Sequence, residues 1–231
     1  MIATLLLSLL LFTQQTAQDQ YDLAVKLYDG IEGPKDLYRA VDLFKSAAEQ
    51  GHREAQFMLA VLYLTGDGLP EQTGKAAEWY IKAAEQGHIE AQFNIGVLYL
   101  NGIGVNLDFA RAGEWFMKAA SLGSTSAEFN LSMMHIRGDG FSKDLVKASE
   151  LMTRAAEKGL PLAQYHLGVM YCNGEGVPRD LVQAYKWADL AVKTRAPETP
   201  PDMREFLKNQ MTSEQVIEAE RMSREWKPKE K

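Results

Sequence analysis

The sequence predicts an all-α protein: a right-handed α/α solenoid (superhelix) of five 36-residue helix-turn-helix repeats, followed by C-terminal capping helices. The first observation behind this prediction is the segment A-A-E-Q-G, which ends at Gly51 and again at Gly87, 36 residues later. The second is a Gly-x-Gly motif that recurs with the same step, beginning at Gly66, Gly102, Gly138 and Gly174. Self-similarity at a fixed period of this length is the signature of stacked repeats.

Each repeat is predicted to hold two helices, A and B, joined by a short loop. In the third repeat, helix A covers about residues 90–100 and ends at Gly102, a position suited to a left-handed cap. Helix B begins near Asp108 and runs to about residue 120. Acidic residues stand in the column of Asp108 in three other repeats, as expected of N-caps or first-turn acids: Asp36, Asp144 and Asp180. Short loops make neighbouring helices antiparallel.

The two helices differ in how their apolar side chains are distributed. Helix A is apolar nearly all round, so it must be covered on both sides, by its own helix B and by the adjoining repeats. Helix B carries a charged stripe and is predicted to form the outer, convex wall; in the second repeat the stripe is Lys75, Glu78, Lys82 and Glu85. Two aromatic columns are predicted to lie in the core. They are Trp79, Trp115 and Trp187 in helix B, with Leu151 in the fourth repeat, and Phe57, Phe93, Phe129 and Tyr165 in helix A.

The two ends of the chain differ from the repeats. Residues 2–12 form an apolar run that is too short to span a bilayer but suits the core of a signal peptide, which we predict over residues 1–18. No Lys or Arg precedes the run, and Gln15 or Gln18 falls where the cleavage site needs a small residue, which leaves an uncleaved N-terminal membrane anchor as the alternative. The repeats then occupy residues 19–195, divided at about 19–51, 52–87, 88–123, 124–159 and 160–195. Residues 196–231 are predicted to form capping helices and a tail that is frayed over residues 227–231.

Composition narrows the classes of partner. The net charge of −6 argues against nucleic acid, because phosphate binding needs a basic face. It also argues against anionic lipid, and no membrane insertion is expected once the signal is removed. Cys172 is the one cysteine, so an intramolecular disulfide is excluded, and its repeat column predicts a small buried apolar residue. We expect no cofactor.

The repeat pattern is most complete in the third repeat. It reads A-Q-F-N-I-G-V-L-Y at residues 91–99, G-I-G-V at 102–105, R-A at 111–112, Trp115, A-A at 119–120 and Gly123. This pattern resembles the Sel-one-like repeat (SLR) family, relatives of the tetratricopeptide repeats, over about residues 21–195. The resemblance implies an α/α superhelix that acts as an adaptor or scaffold for protein complexes, in bacteria often as an exported protein.

The chain departs from that pattern in two repeats. In the first, Glu32 replaces a glycine, and helix A is expected to be incomplete. In the fourth, His135 stands where the pattern has Tyr, and Leu151 stands where it has Trp. We expect these changes to affect packing and not chemistry.

A narrow polar line along helix A is the candidate partner-binding surface. In the third repeat it contains Asn94 and Asn101, with Leu98 beside them. Stacked helices A would align these columns along the concave wall, the usual binding face of repeat proteins. Asparagine could bond a peptide backbone, and Met or Leu could hold its side chains. The full set, here termed the helix-A stripe, is Met58, Leu62, Asn94, Leu98, Asn101, Asn130, Met134, Arg137, His166, Met170 and Asn173. The alternative interpretation is that these residues are only the solvated edge of helix A.

No residue pattern in the sequence points to catalysis or to a metal. His52 and His88 lie one repeat apart at predicted helix starts, and no cysteine or acidic set completes a metal site. The Gly-x-Gly motifs follow a helix instead of a strand, so they are not phosphate loops. We therefore predict a non-enzymatic, monomeric scaffold that binds a protein or peptide in the periplasm or outside the cell. The alternatives are a hydrolase-like envelope enzyme and a purely structural spacer within a larger assembly.

Overall fold

The computed structural model describes residues 16–31, 33–194 and 202–229. In these residues the protein consists of twelve α-helices and contains no strand, which confirms the predicted all-α class. The helices are α1 (Ala17–Asp29), α2 (Leu37–Glu49), α3 (Arg53–Thr65), α4 (Thr73–Glu85), α5 (Ile89–Asn101), α6 (Phe109–Ser121), α7 (Thr125–Arg137), α8 (Leu145–Glu157), α9 (Pro161–Asn173), α10 (Leu181–Lys193), α11 (Asp202–Lys208) and α12 (Ser213–Glu225). Along the chain, helices α1 to α10 alternate as helix A and helix B of the five repeats. Within the described residues, no helix has the length and hydropathy needed to cross a bilayer.

Helices A end at glycine residues, and helix B of the third repeat begins at an aspartate, where the sequence predicts. Helix A of the third repeat, α5, ends at Gly102, which has a φ of 66° and donates its N–H to the carbonyl of Leu98. The other helices A end in the same way, at Gly30, Gly66, Gly138 and Gly174. Helix B of the third repeat, α6, begins at Asp108, whose carboxylate accepts the Arg111 N–H at 3.0 Å. These local rules explain why the helix positions could be read from the sequence.

The first helix is complete, so the expectation of an incomplete helix A in the first repeat is wrong. Helix α1 has the same 13-residue length as the other helices A. It begins with a reciprocal cap: Thr16 Oγ1 accepts the Asp19 N–H, and the Asp19 carboxylate accepts the Thr16 N–H. The predicted apolar run at residues 2–12 lies outside the described residues.

The first compact unit ends at Leu107 and contains α1 to α5. Its core is aromatic where the two helices of one repeat meet. The Phe44 ring from α2 lies 5.9 Å from the Tyr21 ring of α1, and the Phe57 ring of α3 lies 5.8 Å from that of Tyr80 in α4. Phe44 and Tyr80 are fully buried, so each helix B contributes one central ring to the packing.

The second compact unit begins at Asp108 and contains α6 to α12. Its C-terminal end is covered as predicted, because Leu207 of α11 and Ala219 of α12 are buried against Ala184 and Tyr185 of α10. A buried carboxylate joins the same helices. Asp189 accepts hydrogen bonds from Arg204 at 2.9 Å and from Ser223 at 2.7 Å, and it pairs with Lys193 at 2.6 Å.

The predicted fraying of the C-terminal tail is wrong for residues 227–229. The Trp226 ring packs on Trp187 with centroids 6.2 Å apart. Lys229 then donates its backbone N–H to the carbonyl of Glu157 at 2.8 Å, and its Nζ pairs with the Glu157 carboxylate at 2.7 Å. The tail therefore extends back from the cap to the fourth repeat, a contact that no local pattern predicts.

The tryptophan column lies at the edge of the core, which corrects the prediction for two of its three members. Trp187 is buried, whereas Trp79 and Trp115 are partly exposed. Lysines cover the latter two rings: Lys82 Nζ lies 3.7 Å from the centre of Trp79, and Lys118 Nζ lies 3.8 Å from the centre of Trp115. The fully buried aromatic residue of helix B is instead the next one along the chain, Tyr80 in α4 and Phe116 in α6.

Candidate partner-binding surface

The structure divides the helix-A stripe into a buried part and an accessible part. Four of its five apolar members are buried, with exposures of at most 3%: Leu62, Leu98, Met134 and Met170. Met170, for example, packs in a cluster with Leu167 and Trp187. These four side chains fill the space between helices A and B and cannot hold the side chains of a partner, which corrects their assignment. Because helix A is apolar nearly all round, the helical wheel alone left its facing undetermined.

In the first unit, the stripe retains three polar or partly exposed positions. Asn101 is exposed, and its Nδ2 donates to the Val97 carbonyl of its own helix at 2.9 Å. Met58 is partly exposed. Asn94 is partly exposed but is hydrogen-bonded to the hydroxyl of Tyr80. Burial raises the pKa of Tyr80, and the bond to Asn94 offsets part of that effect. Asn94 therefore has a structural role, because it joins the third repeat to the second.

In the second unit, Arg137 and Asn173 are the accessible members of the stripe. Each is the exposed last residue of a helix A, α7 or α9, as Asn101 is in α5. Asn173 Nδ2 donates to Glu175 Oε1 at 3.1 Å. Asn130 is partly exposed and donates to the Ser126 carbonyl within its helix at 2.9 Å. His166 is partly exposed and packs its ring 5.6 Å from that of Phe129.

The two histidines at repeat boundaries begin helices, as predicted. His52 and His88 are the N-caps of α3 and α5, and their Nδ1 atoms accept the backbone N–H of Ala55 at 3.1 Å and of Ala91 at 3.2 Å. The His88 ring also stacks on Phe57, with centroids 4.3 Å apart. Burial lowers the pKa of His88, so the ring remains the neutral acceptor that the cap requires. In the part of the chain that the structure describes, no group of His, Cys, Asp or Glu is placed to hold a metal ion.

The single cysteine is less buried than predicted. Cys172 is a free thiol in α9, partly exposed, and packs at the edge of the cluster that the C-terminal helices cover. Its backbone carbonyl accepts from Arg179 Nε at 3.0 Å. We see no base beside the thiol in the described contacts, and we assign it a packing role.

A second surface feature was not foreseen. A cavity of about 340 Å³ lies in the second unit among α6, α7 and α8, and we term it the fourth-repeat cavity. Its lining residues are Met117, Ala120, Ser121, Glu128, Leu131, His135, Lys147, Leu151 and Arg154. Three of them break the repeat pattern: Glu128, His135 and Leu151. The sequence shows the His135 and Leu151 departures, which we expected to affect packing alone, but it does not show that they lie at one cavity with Glu128.

A buried carboxylate with two cationic partners lies at the cavity. The Glu128 side chain is 5% exposed and accepts from Arg154 Nε at 3.1 Å and from Lys158 Nζ at 2.9 Å. In three other repeats a glutamine holds this column and donates to a carbonyl of the preceding helix B: Gln56 to Ala48, Gln92 to Ala84 and Gln164 to Ala156. A carboxylate at position 128 cannot make that bond.

Comparison with known proteins agrees with the helical architecture. The family model described as Sel1 repeat matches residues 17–52, 53–88, 89–124, 125–160 and 161–193. A protective antigen of uropathogenic Escherichia coli with an SLR fold is 36% identical, with a TM-score of 0.84; the match covers 92% of this chain but only 46% of the antigen. A Sel1 repeat protein from Oxalobacter formigenes is 28% identical, with a TM-score of 0.80, and the match covers 92% and 88% of the two chains.

A more distant similarity concerns the fold alone. An immunity protein from Pseudomonas aeruginosa is 22% identical with a TM-score of 0.50, and the match covers 92% of this chain and 82% of that protein. No curated protein matches the chain.

Proposed function

Because this chain belongs to the Sel1 repeat family, we propose that it is a non-catalytic scaffold that binds a partner protein through the exposed ends of its helices A. Proteins of this family are generally protein-interaction scaffolds. The observation that carries the proposal is the position of Arg137 and Asn173, which are polar, exposed and separated by one repeat on successive helices A of the second unit. Repetition of an exposed polar position from repeat to repeat suits an extended segment of a partner.

The test compares two double variants that differ only in the surface they change. Arg137→Ala/Asn173→Ala truncates the polar side chains at the exposed ends of two helices A. Glu114→Ala/Glu150→Ala is the matched control, because both residues are exposed and lie in helices B of the same unit, α6 and α8. Proteins captured from the source cell with the wild-type chain are identified, purified and titrated against both variants, whose folding is checked by thermal melting.

The outcomes separate the surface from the function. We expect the helix-A variant to bind the purified partner at least tenfold more weakly and the control variant to bind like the wild type. Equal binding by the wild type and the helix-A variant would exclude this surface. If the wild-type chain has no saturable protein partner, the scaffold proposal fails.

We also propose that the protein is exported and acts as a monomer in the periplasm or outside the cell, with residues 1–18 supplying the signal. The proposal is supported by the apolar run at residues 2–12. The reciprocal cap of Thr16 and Asp19 adds a restriction, since cleavage after residue 18 would remove Thr16 and the first two residues of α1. Mass spectrometry of the protein from the source cell gives the mature N-terminus; an intact residue 1 in a soluble cytoplasmic fraction would exclude export.

A further inference from the structure

The fourth-repeat cavity lies at the place where three residues depart from the repeat pattern together. Tryptophan occupies the column of Leu151 in the second, third and fifth repeats. Tyrosine occupies the column of His135 in the same three repeats. Both replacements are smaller than the residues of the pattern, and both line the cavity. The cavity therefore lies where the fourth repeat has smaller side chains than the tryptophan and tyrosine of the other repeats.

The column of Arg154 indicates what would fit there. Three residues after the tryptophan, helix B carries Lys82 in the second repeat and Lys118 in the third, and each ammonium lies over the ring of its tryptophan at 3.7 and 3.8 Å. Arg154 has the same spacing from Leu151 and also lines the cavity. A ring entering the cavity would meet a cation in the position where its neighbours already use one.

A buried ring nitrogen of a lining residue lacks a partner. His135 is 6% exposed, and its ring stacks on Phe141 with centroids 4.7 Å apart. Its Nδ1 atom is buried and has no hydrogen-bond partner. Buried polar atoms are normally bonded, so a donor that reaches this atom from the cavity would be stabilised. A donor on the entering ring would satisfy Nδ1 in the Nε2–H tautomer.

Size and charge restrict the ligand further. A volume of about 340 Å³ lies at the small end of ligand pockets, which span about 300–1,000 Å³, so one ring system fits better than a large cofactor. Met117 and Leu131 supply an apolar lining. Lys147 and Arg154 are exposed lining residues, and Glu128 pairs with Arg154 and with Lys158. One carboxylate against three cations leaves the site positive, which favours acidic groups on either side of the ring.

We propose that the fourth-repeat cavity binds a tryptophan side chain of a partner polypeptide, flanked by acidic residues. The indole ring lies under Arg154 in the space left by Leu151, and its N–H, which can only donate, bonds to His135 Nδ1. The acidic flanks face Lys147 and Arg154. This inference rests on the proposed scaffold function and specifies the chemistry of the partner.

The test uses two peptides, acetyl-Asp-Asp-Trp-Asp-Asp-amide and the same peptide with Leu for Trp, titrated calorimetrically into the full chain. The wild type should bind the Trp peptide at least tenfold more tightly than the Leu peptide. Leu151→Trp should abolish that preference, because it fills the cavity with the residue that other repeats carry, and its melting temperature should not fall. If the wild type does not discriminate between the peptides, or Leu151→Trp binds the Trp peptide equally well, the inference is overturned.

A second variant decides the matter if Leu151→Trp melts below the wild type. Met117→Glu places a negative charge at an exposed lining residue, 46% exposed, and should weaken the Trp peptide about tenfold without unfolding the chain. Unchanged binding by Met117→Glu overturns the inference. The purified partner is tested in parallel: if it binds Leu151→Trp like the wild type while the peptides fail, only the cavity inference is lost. If no protein partner exists, the scaffold proposal fails independently.

Discussion

Replacing the buried Phe116 by alanine should destabilise the second unit more than replacing its partly exposed neighbour Trp115 by alanine. Phe116 lies in α6 and is 0% exposed. A buried phenylalanine truncated to alanine loses its transfer free energy and leaves a cavity, which together cost about 3–5 kcal/mol. We expect Phe116→Ala to lie in that range.

Trp115→Ala is the matched comparison, because it removes a larger ring from the adjacent position. Trp115 is partly exposed, and its outer face is covered by Lys118 Nζ at 3.8 Å. The space left by the ring is open to solvent, so little cavity penalty is added. Partial burial and an exposed cation–π contact together amount to about 2 kcal/mol. The smaller side chain should therefore give the larger loss.

The measurement is urea unfolding followed by circular dichroism, with the slope of the transition checked to be the same in both variants. Phe116→Ala should lower the free energy of unfolding by at least about 1 kcal/mol more than Trp115→Ala. Equal losses, or a larger loss for Trp115→Ala, would show that the orientation of helix B in the third repeat is not the one described.

Three further predictions concern caps, loops and the C-terminal end. Burial lowers the pKa of His88, so the contribution of this N-cap to stability, about 1 kcal/mol, is complete above pH 6.5 and is lost as the pH falls below it. His88→Ser keeps an N-cap acceptor that does not titrate and should remove this pH dependence. Thermal melts of both proteins between pH 8 and pH 5 measure the difference. Gly104→Ala should destabilise the first unit more than Gly87→Ala in urea unfolding, because both glycines have positive φ but only at Gly104 would a Cβ overlap the Thr73 carbonyl. Burial raises the pKa of Asp189, but hydrogen bonds from Lys193, Ser223 and Arg204 outweigh it and leave the pKa below its ordinary value of 3.8. The packing of α11 and α12 on α10 should therefore be stable above that pH and loosen below it. In the wild type, amides of α12 should lose protection from hydrogen exchange in acid, and in Asp189→Asn this protection should depend less on pH.

The helix ends could be predicted because their causes are local. A glycine in the left-handed conformation at Gly102 and a capping carboxylate at Asp108 act through their own backbone neighbours, so sequence columns locate them. The facing of each helix could not be predicted in the same way. In α6, Trp115 and Phe116 are adjacent and both apolar, and a rotation of one residue decides which of them is buried.

The candidate surface was predicted in part for the same reason. Leu98 lies beside Asn94 and Asn101 on the wheel, but the wheel does not show that helix B covers that position, and the structure buries it. Contacts between distant parts of the sequence were also out of reach. The bond from Lys229 to Glu157 joins residues 72 positions apart and has no local signature.

In the fourth repeat, the structure brings together three residues that depart from the repeat sequence. Its Glu128 gives up the glutamine hydrogen bond that three other repeats keep, and a buried carboxylate must be desolvated against the attraction of Arg154 and Lys158. The cost of desolvating a buried carboxylate often offsets the attraction of its cations, so stability alone gives little reason for this exchange. The same repeat leaves His135 Nδ1 without a partner and replaces an indole by Leu151. Each change alone is unfavourable or neutral for packing, yet all three line one cavity, and binding of an outside group gives them a common cause.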